Sequence, residues 1–282
     1  MPVLIPRSVD ELVDIFQEHP TAKLLAGGTD YMVEVNLHGR KPETMISLRQ
    51  VKELSEWSVR STRRSITIGA GLPYADMEHG EIARLVPALA QAARTVGSPQ
   101  IRAAGTLGGN LGTCSPAGDS LPVLAALNAT IHVIGPDGNR DVEFSDFMIG
   151  VKKNSLRPAE FVHSVSMPIV DGWQGYAKVG TRNAMVISTA SACLVRDSDE
   201  GIVSIALGSV GPTVIRCHGA ETWLMKTMSL RAESTLDPVV AQEFGQRVAQ
   251  ESRPIDDHRS TAEYRRHAVG VLAQRLLLRS FS

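Results

Sequence analysis

The chain has 282 residues, 43% hydrophobic and 21% charged, a composition that excludes a disordered or collagen-like protein. Its 29 Lys and Arg against 30 Asp and Glu leave a formal charge of −1, which supplies neither a basic surface for nucleic acid nor an acidic tail. At about 100–200 residues per domain, the length predicts two domains with a sizeable buried core.

The opening residues MPVLIPRSVDELVDIF carry acidic groups and lack a signal-type apolar stretch, and no run reaches the roughly 18–20 apolar residues of a membrane span. A cytoplasmic protein is expected. Ser8 with Glu11 three positions on forms a capping-box pattern for a helix whose apolar face is Leu12, Val13, Ile15 and Phe16. Short strands are predicted at 22–26 and 44–48, with an apolar-rich segment at 30–38 between them, so the opening is a small β-α-β-like unit. Residues 57–69 alternate as a hairpin, and 85–96 form an Ala- and Leu-rich helix. Residues 97–119 hold too many glycines and prolines for any regular element, and an apolar helix resumes at 121–129.

Strands are predicted at 130–134 and 141–144, joined by the turn residues 136–139, and at 161–167. A boundary falls near Asp171-Gly172. Beyond it, 176–179, 188–195 and 202–210 read as three antiparallel strands, followed by helices at 238–251 and 261–278 with Ala268, Val271, Leu272 and Leu276 as the buried stripe. The fold class is α+β.

Cys114, Cys193 and Cys217 are scattered, without a C-x-x-C pair, and read as small buried hydrophobes. A [2Fe–2S] centre needs four thiolates, so these three cannot hold one. The histidines form no H-E-x-x-H pair, and no metal site is predicted. Two glycine motifs remain. LLAGGTDY, residues 24–31, runs an apolar strand into Gly27 and Gly28, where consecutive N–H groups can turn inward as a nest for a diphosphate. The same residues also read as a turn before a helix capped by Thr29 or Asp30. GTLGGNLGTCSPAGD, residues 105–119, is neither a P-loop nor a dinucleotide fingerprint of the G-x-G-x-x-G kind. Two such loops can grip a diphosphate from both sides and leave Asn110 and Asp119 for nearby hydroxyls, although Asp119 also suits the cap of the helix after it.

LLAGGTDY and QIRAAGTLGGNLGTCSPAGD together resemble the signature of the FAD-binding subunits of the molybdenum hydroxylases, the xanthine dehydrogenase and carbon monoxide dehydrogenase family. KVGTRNAMVIS (178–188) and PIDDHRSTAEYRRHAVGVLAQRLL (254–277) resemble that family's C-terminal domain, so the likeness spans nearly the whole chain in order. The resemblance implies a PCMH-type FAD-binding domain at 1–171, built of two α/β lobes at about 1–55 and 56–171, and a C-terminal flavoprotein domain at 172–282 with a three-stranded antiparallel sheet and helices. Carried over by position, Leu24, Leu25, Ala26, Gly27, Gly28, Thr29, Asp30 and Tyr31, with Thr106, Leu107, Gly108, Gly109 and Asn110, would wrap the FAD diphosphate. Asp119 would bond the hydroxylated part of the cofactor, and Val96, Val162 and Lys178 match further FAD-contacting positions. Without the resemblance, Lys178 reads as a solvated surface lysine. One departure lies after Arg182, where the family's R-x-x-D-I-A is replaced by Met185-Val186-Ile187-Ser188. LLAGGTDY holds neither His nor Cys, so the FAD is expected to be non-covalent.

The resemblance further implies an oxidoreductase complex, with a large subunit carrying molybdenum-pterin and a small subunit carrying [2Fe–2S] clusters, assembled as a dimer of heterotrimers. This chain would take electrons from those clusters and pass them from FAD to an external acceptor, and no catalytic side chain of its own is named. The alternatives are a self-sufficient PCMH-type flavin oxidoreductase and a non-enzymatic flavin-binding or assembly protein.

Overall fold

The fold is that of a computed structural model that describes residues 2–39 and 44–282. The chain forms two compact units interleaved in sequence. Met1–Asp76, Ser98–Cys114 and Ala129–Pro168 make one, and Met77–Gly97, Ser115–Asn128 and Ile169–Ser282 make the other.

In the first unit, β1 (Val3–Leu4), β2 (Lys23–Leu25) and β3 (Met45–Ser47) form a parallel sheet in the order β1-β3-β2, with helices Val9–Glu18 and Tyr31–His38 as the crossovers. This is the β-α-β-like opening, extended by a strand at the N-terminus. Ser8 caps the first helix by accepting from Glu11 N at 3.2 Å, but Glu11 accepts from Arg7 N at 2.7 Å rather than closing the box on Ser8. The helix buries Leu12 and Phe16 against Ile46, Leu54 and Phe161, each removing apolar surface worth roughly 1.5–3 kcal/mol from water.

The rest of this unit is a five-stranded antiparallel sheet. β4 (Trp57–Arg60) and β5 (Ser65–Gly69) form the predicted hairpin, and β6 (Thr130–Gly135) and β7 (Gly138–Glu143) a second. After a short ribbon of β8 (Met148–Gly150) and β9 (Lys153–Asn154), β10 (Phe161–Pro168) inserts between the hairpins to give the order β4-β5-β10-β6-β7. Side chains alternate, so β6 buries Ile131 and Val133 while His132 on the other face bonds Asp141 and Ser166, each at 2.6 Å. On β7, Arg140 grips Glu160 with two bonds of 2.7 and 2.8 Å. Hydrogen bonding from Arg140 holds the Glu160 carboxyl below its ordinary value. The stability Glu160 contributes is therefore present above the usual carboxylate range and lost as pH falls through the depressed value. In acid-unfolding curves, Glu160→Gln is expected to flatten that limb; an unchanged curve would show the pair to be idle.

The glycine-rich stretch does form regular structure, contrary to the expectation from composition. It holds helices Pro99–Ala104 and Leu107–Thr113, capped by the hydroxyls of Ser98 and Thr106. Tertiary bonds supply what the glycines lack in propensity, since Gly108 N donates to Ala70 O at 2.8 Å and Ala70 N to His163 O at 2.9 Å.

In the second unit, β11 (Gly172–Val179), β12 (Ala190–Asp197), β13 (Ile202–Gly208) and β14 (Ile215–Arg216) form an antiparallel sheet in chain order. The expected three strands are present, and β14 adds a fourth too short to show as a periodic pattern. One face, with Ala190, Ala192, Leu194, Val203, Ile205 and Leu207, packs on helices His218–Thr227, Pro238–Glu251 and Ala262–Arg279. The first of these three helices was not anticipated, because its apolar residues lack a clear stripe. In the last, Val271 is only partly buried, and Val269, Ala273 and Leu277 complete the inner face instead.

The other face of this sheet is covered by helices Pro87–Thr95 and Leu121–Ala126. The predicted helix at 85–96 is broken at Val86, where Pro87 starts a new helix after Gly80–Leu85. Polar bonds hold this layer. Arg216 donates to Ala125 O at 2.9 Å and Asn128 Oδ1 at 2.6 Å, and Tyr176 N donates to Gln91 Oε1 at 2.8 Å. All three cysteines are buried, and burial pushes the Cys114 thiol up to about 11, as expected of inert core residues.

Candidate functional site

The two glycine motifs meet in the first unit. β2 ends at Leu25, and the chain turns through 26–30 before helix Tyr31–His38. Gly28 takes a φ of +69°, which side chains rarely adopt. Gly27 lies so close to the second motif that an added Cβ would stand 1.8 Å from the Ala104 carbonyl oxygen. Ala26 faces Gly109, and Thr29 Oγ1 lies against Gly105. At the far end of helix Leu107–Thr113, Thr113 Oγ1 donates to Asp30 Oδ2 at 3.1 Å. Asp30 therefore does not cap the helix that follows it; its carboxylate ties the two motifs together.

Among the described residues, no protein acceptor takes the amide N–H groups of residues 27–30. Residues 27–29 are partly exposed around a positive-φ glycine, a backbone arrangement in which successive N–H groups can form a concave anion site. The donors are neutral backbone groups and glycines allow close approach, so the residues present fit a diphosphate. Thr106 Oγ1 accepts from Gly109 N at 3.0 Å and keeps the second turn in register with the first. Val162 sits on β10 next to His163, whose carbonyl holds Ala70 and, through it, Gly108.

Asp119, Val96 and Lys178 lie in the second unit and form a separate group. Asp119 is 8% exposed and caps no helix. Its Oδ2 accepts from Lys178 Nζ at 2.6 Å and from Thr95 Oγ1 at 3.5 Å, and its Oδ1 from the Tyr176 hydroxyl at 2.8 Å. Burial pushes the Asp119 carboxyl up, while the Lys178 ammonium and the neighbouring hydroxyls pull it down. Lys178 is as buried as its partner, so it is not a solvated lysine. Its ammonium also donates to Thr95 O at 2.9 Å, beside Val96, and to Val186 O at 3.1 Å. In the departing segment, Arg182 closes the turn on Met185 O, and Met185 and Ile187 are exposed.

Two family models cover the chain: the FAD binding domain in molybdopterin dehydrogenase over residues 1–170, and the CO dehydrogenase flavoprotein C-terminal domain over 176–280. The chain belongs to this family. It is 27% identical over 272 residues to the glyceraldehyde dehydrogenase medium chain of Sulfolobus acidocaldarius, covering 95% of this chain and 94% of that one. It is 32% identical over 233 residues to the nicotinate dehydrogenase FAD-subunit of Eubacterium barkeri, covering 78% of each. Among solved structures, the carbon monoxide dehydrogenase of Hydrogenophaga pseudoflava, in a form lacking the Mo-pyranopterin moiety of its molybdenum cofactor, superposes with a TM-score of 0.89 at 26% identity. That match covers 100% of this chain and 97% of the other.

The protein is thus the FAD subunit of a molybdenum-hydroxylase-type oxidoreductase, and FAD is its cofactor. No helix among the described residues is long and apolar enough to cross a membrane. Sequence reasoning missed Tyr176, a wholly enclosed hydroxyl that burial beside Asp119 raises well above its ordinary pKa. The available signal was strand alternation, which puts Tyr176 and Lys178 on one face of β11.

Proposed function

We propose that this FAD subunit links a small partner subunit carrying [2Fe–2S] clusters to an external electron acceptor, in a cytoplasmic complex whose large subunit carries molybdenum-pterin and hydroxylates the substrate. The observation that carries the proposal is the pair of interlocked glycine turns, with no protein acceptor for the amides of 27–30 among the described residues. Bound FAD supplies the redox chemistry, matching one-electron donors to a two-electron acceptor.

The chain's own residues bind and orient. Residues 24–31 and Thr106 to Asn110 wrap the diphosphate, which the backbone N–H groups of 27–30 hold, while the amides of Gly108, Gly109 and Asn110 are spent on Ala70 O, Thr106 Oγ1 and Thr106 O and fix the second motif against the first. Asp119 accepts from a hydroxyl of the cofactor, and Val96 and Val162 contribute apolar contact. The matches over 1–170 and 176–280 support a flavin domain at 1–171 and a C-terminal domain at 172–282. Names such as medium chain and FAD-subunit among the relatives support the large and small partner subunits, and the assembly as a dimer of heterotrimers is part of the proposal.

Native affinity purification from the source cell, with a visible spectrum and metal analysis, tests this reading. Flavin together with iron, molybdenum and two further chains is expected. Flavin on a lone, metal-free chain that turns over substrate would replace the proposal with a self-sufficient oxidoreductase.

A further inference from the structure

An ammonium has three N–H donors, and in Lys178 all three are taken: by Thr95 O, Asp119 Oδ2 and Val186 O, at 2.9, 2.6 and 3.1 Å. No proton of Lys178 is left for a cofactor atom unless one of these bonds breaks in a site where the side chain is only 8% exposed. Tyr176 stands in the same relation to the other carboxylate oxygen, since its hydroxyl donates to Asp119 Oδ1 at 2.8 Å from a buried ring. Tyr176 and Lys178 are two apart on β11 and so project from one face of the strand. Asp119 Oδ1 is thus held by Tyr176 and Oδ2 by Lys178, with Thr95 Oγ1 at 3.5 Å from Oδ2, and the remaining lone pairs are held in one orientation.

We infer that Tyr176 and Lys178 are positioning residues that act on FAD through Asp119, orienting its carboxylate as the acceptor of a cofactor hydroxyl, and that neither donates to FAD itself. This rests on the reading of Asp119 as a cofactor contact. It assigns a role to Tyr176, which lies outside both glycine motifs, and it replaces direct contact by the Lys178 ammonium with an indirect one. A hydrogen bond to a charged group depends on its geometry, so a carboxylate free to rotate binds its hydroxyl partner measurably less well.

A double-mutant cycle on the full chain tests the inference, with flavin removed and FAD titrated back by its fluorescence. Tyr176→Phe, which keeps the ring and the fold, is expected to weaken FAD binding about tenfold, and Asp119→Asn by at least as much. The decisive result is the double variant, expected to bind no more weakly than Asp119→Asn alone, because Tyr176 then has no carboxylate left to orient. Lys178→Met in the same two backgrounds is expected to repeat the pattern and covers the case in which Tyr176→Phe misfolds. If the losses multiply, or if Tyr176→Phe and Lys178→Met bind like the parent while Asp119→Asn is weak, the positioning role is overturned and the Asp119 contact stands. If Asp119→Asn itself binds FAD like the parent, the Asp119 contact falls, and the positioning role with it.

Discussion

Gly27→Val is expected to abolish stoichiometric FAD binding and to lower the melting temperature by roughly 6–12 °C, the counterpart of about 3 kcal/mol in a chain of this size. The physical reason is that the neighbour cannot yield. An added Cβ would stand 1.8 Å from the Ala104 carbonyl oxygen and 2.9 Å from the Gly105 nitrogen, both backbone atoms. Relief requires the 26–30 turn to separate from the 104–106 backbone, which disturbs the run of amides at 27–30. Gly28→Ala provides the contrast. Its nearest obstacle is the flexible Met32 side chain at 3.2 Å, so the cost is mainly that of the positive φ, about 1–2 kcal/mol. Flavin content and thermal unfolding of the two purified variants decide the matter. A Gly27→Val protein with full flavin and parental stability would refute the two-turn site.

Arg216→Met is expected to destabilise the chain by about 3–5 kcal/mol, read as a fall in the urea midpoint at constant slope. Arg216 spans residues from three parts of the sequence: it pairs with Glu221, bonds Ser204, and holds Ala125 O and Asn128 Oδ1. Removing it leaves the Glu221 carboxylate, 4% exposed, with only the Ile205 amide at 2.7 Å and the exposed His218 ring at 3.3 Å beside it among the described residues. It also frees the 121–128 segment from β14. Replacing Glu221 as well, in an Arg216→Met/Glu221→Met protein, is expected to recover part of the loss, since an apolar pair leaves no buried charge behind. A single variant within 1 kcal/mol of the parent would show that this layer is held by apolar contact alone.

Much of the fold was legible because local chemistry is strong where it matters. Ser8 caps the first helix with the side-chain oxygen that such residues offer. The alternation in 57–69 and the turn at 136–139 became antiparallel hairpins, since a two-residue period can bury only one face. The helices at 99–113 were not legible. Glycine is among the poorest helix formers, at about 1 kcal/mol against alanine, and the bonds that offset it come from Ala70 and Asp30, far away in sequence. Tyr176 was missed for a related reason, because its partner Asp119 is 57 residues distant.

By itself, the sequence determined the first helix, the hairpins, the three main strands and last two helices of the C-terminal region, the two glycine turns, the lack of thiolates for an iron–sulfur cluster, and the family signature. These are properties of residue type and short spacing, which survive without knowledge of what lies next to them. The tertiary structure alone decided that 77–97 and 115–128 pack with the C-terminal sheet. It also decided that Asp30 ties two loops rather than capping a helix, and that the three protons of Lys178 are already taken within the chain. Each of those outcomes depends on which distant donors and acceptors burial leaves facing one another, and a buried polar group must find a partner wherever the fold puts one.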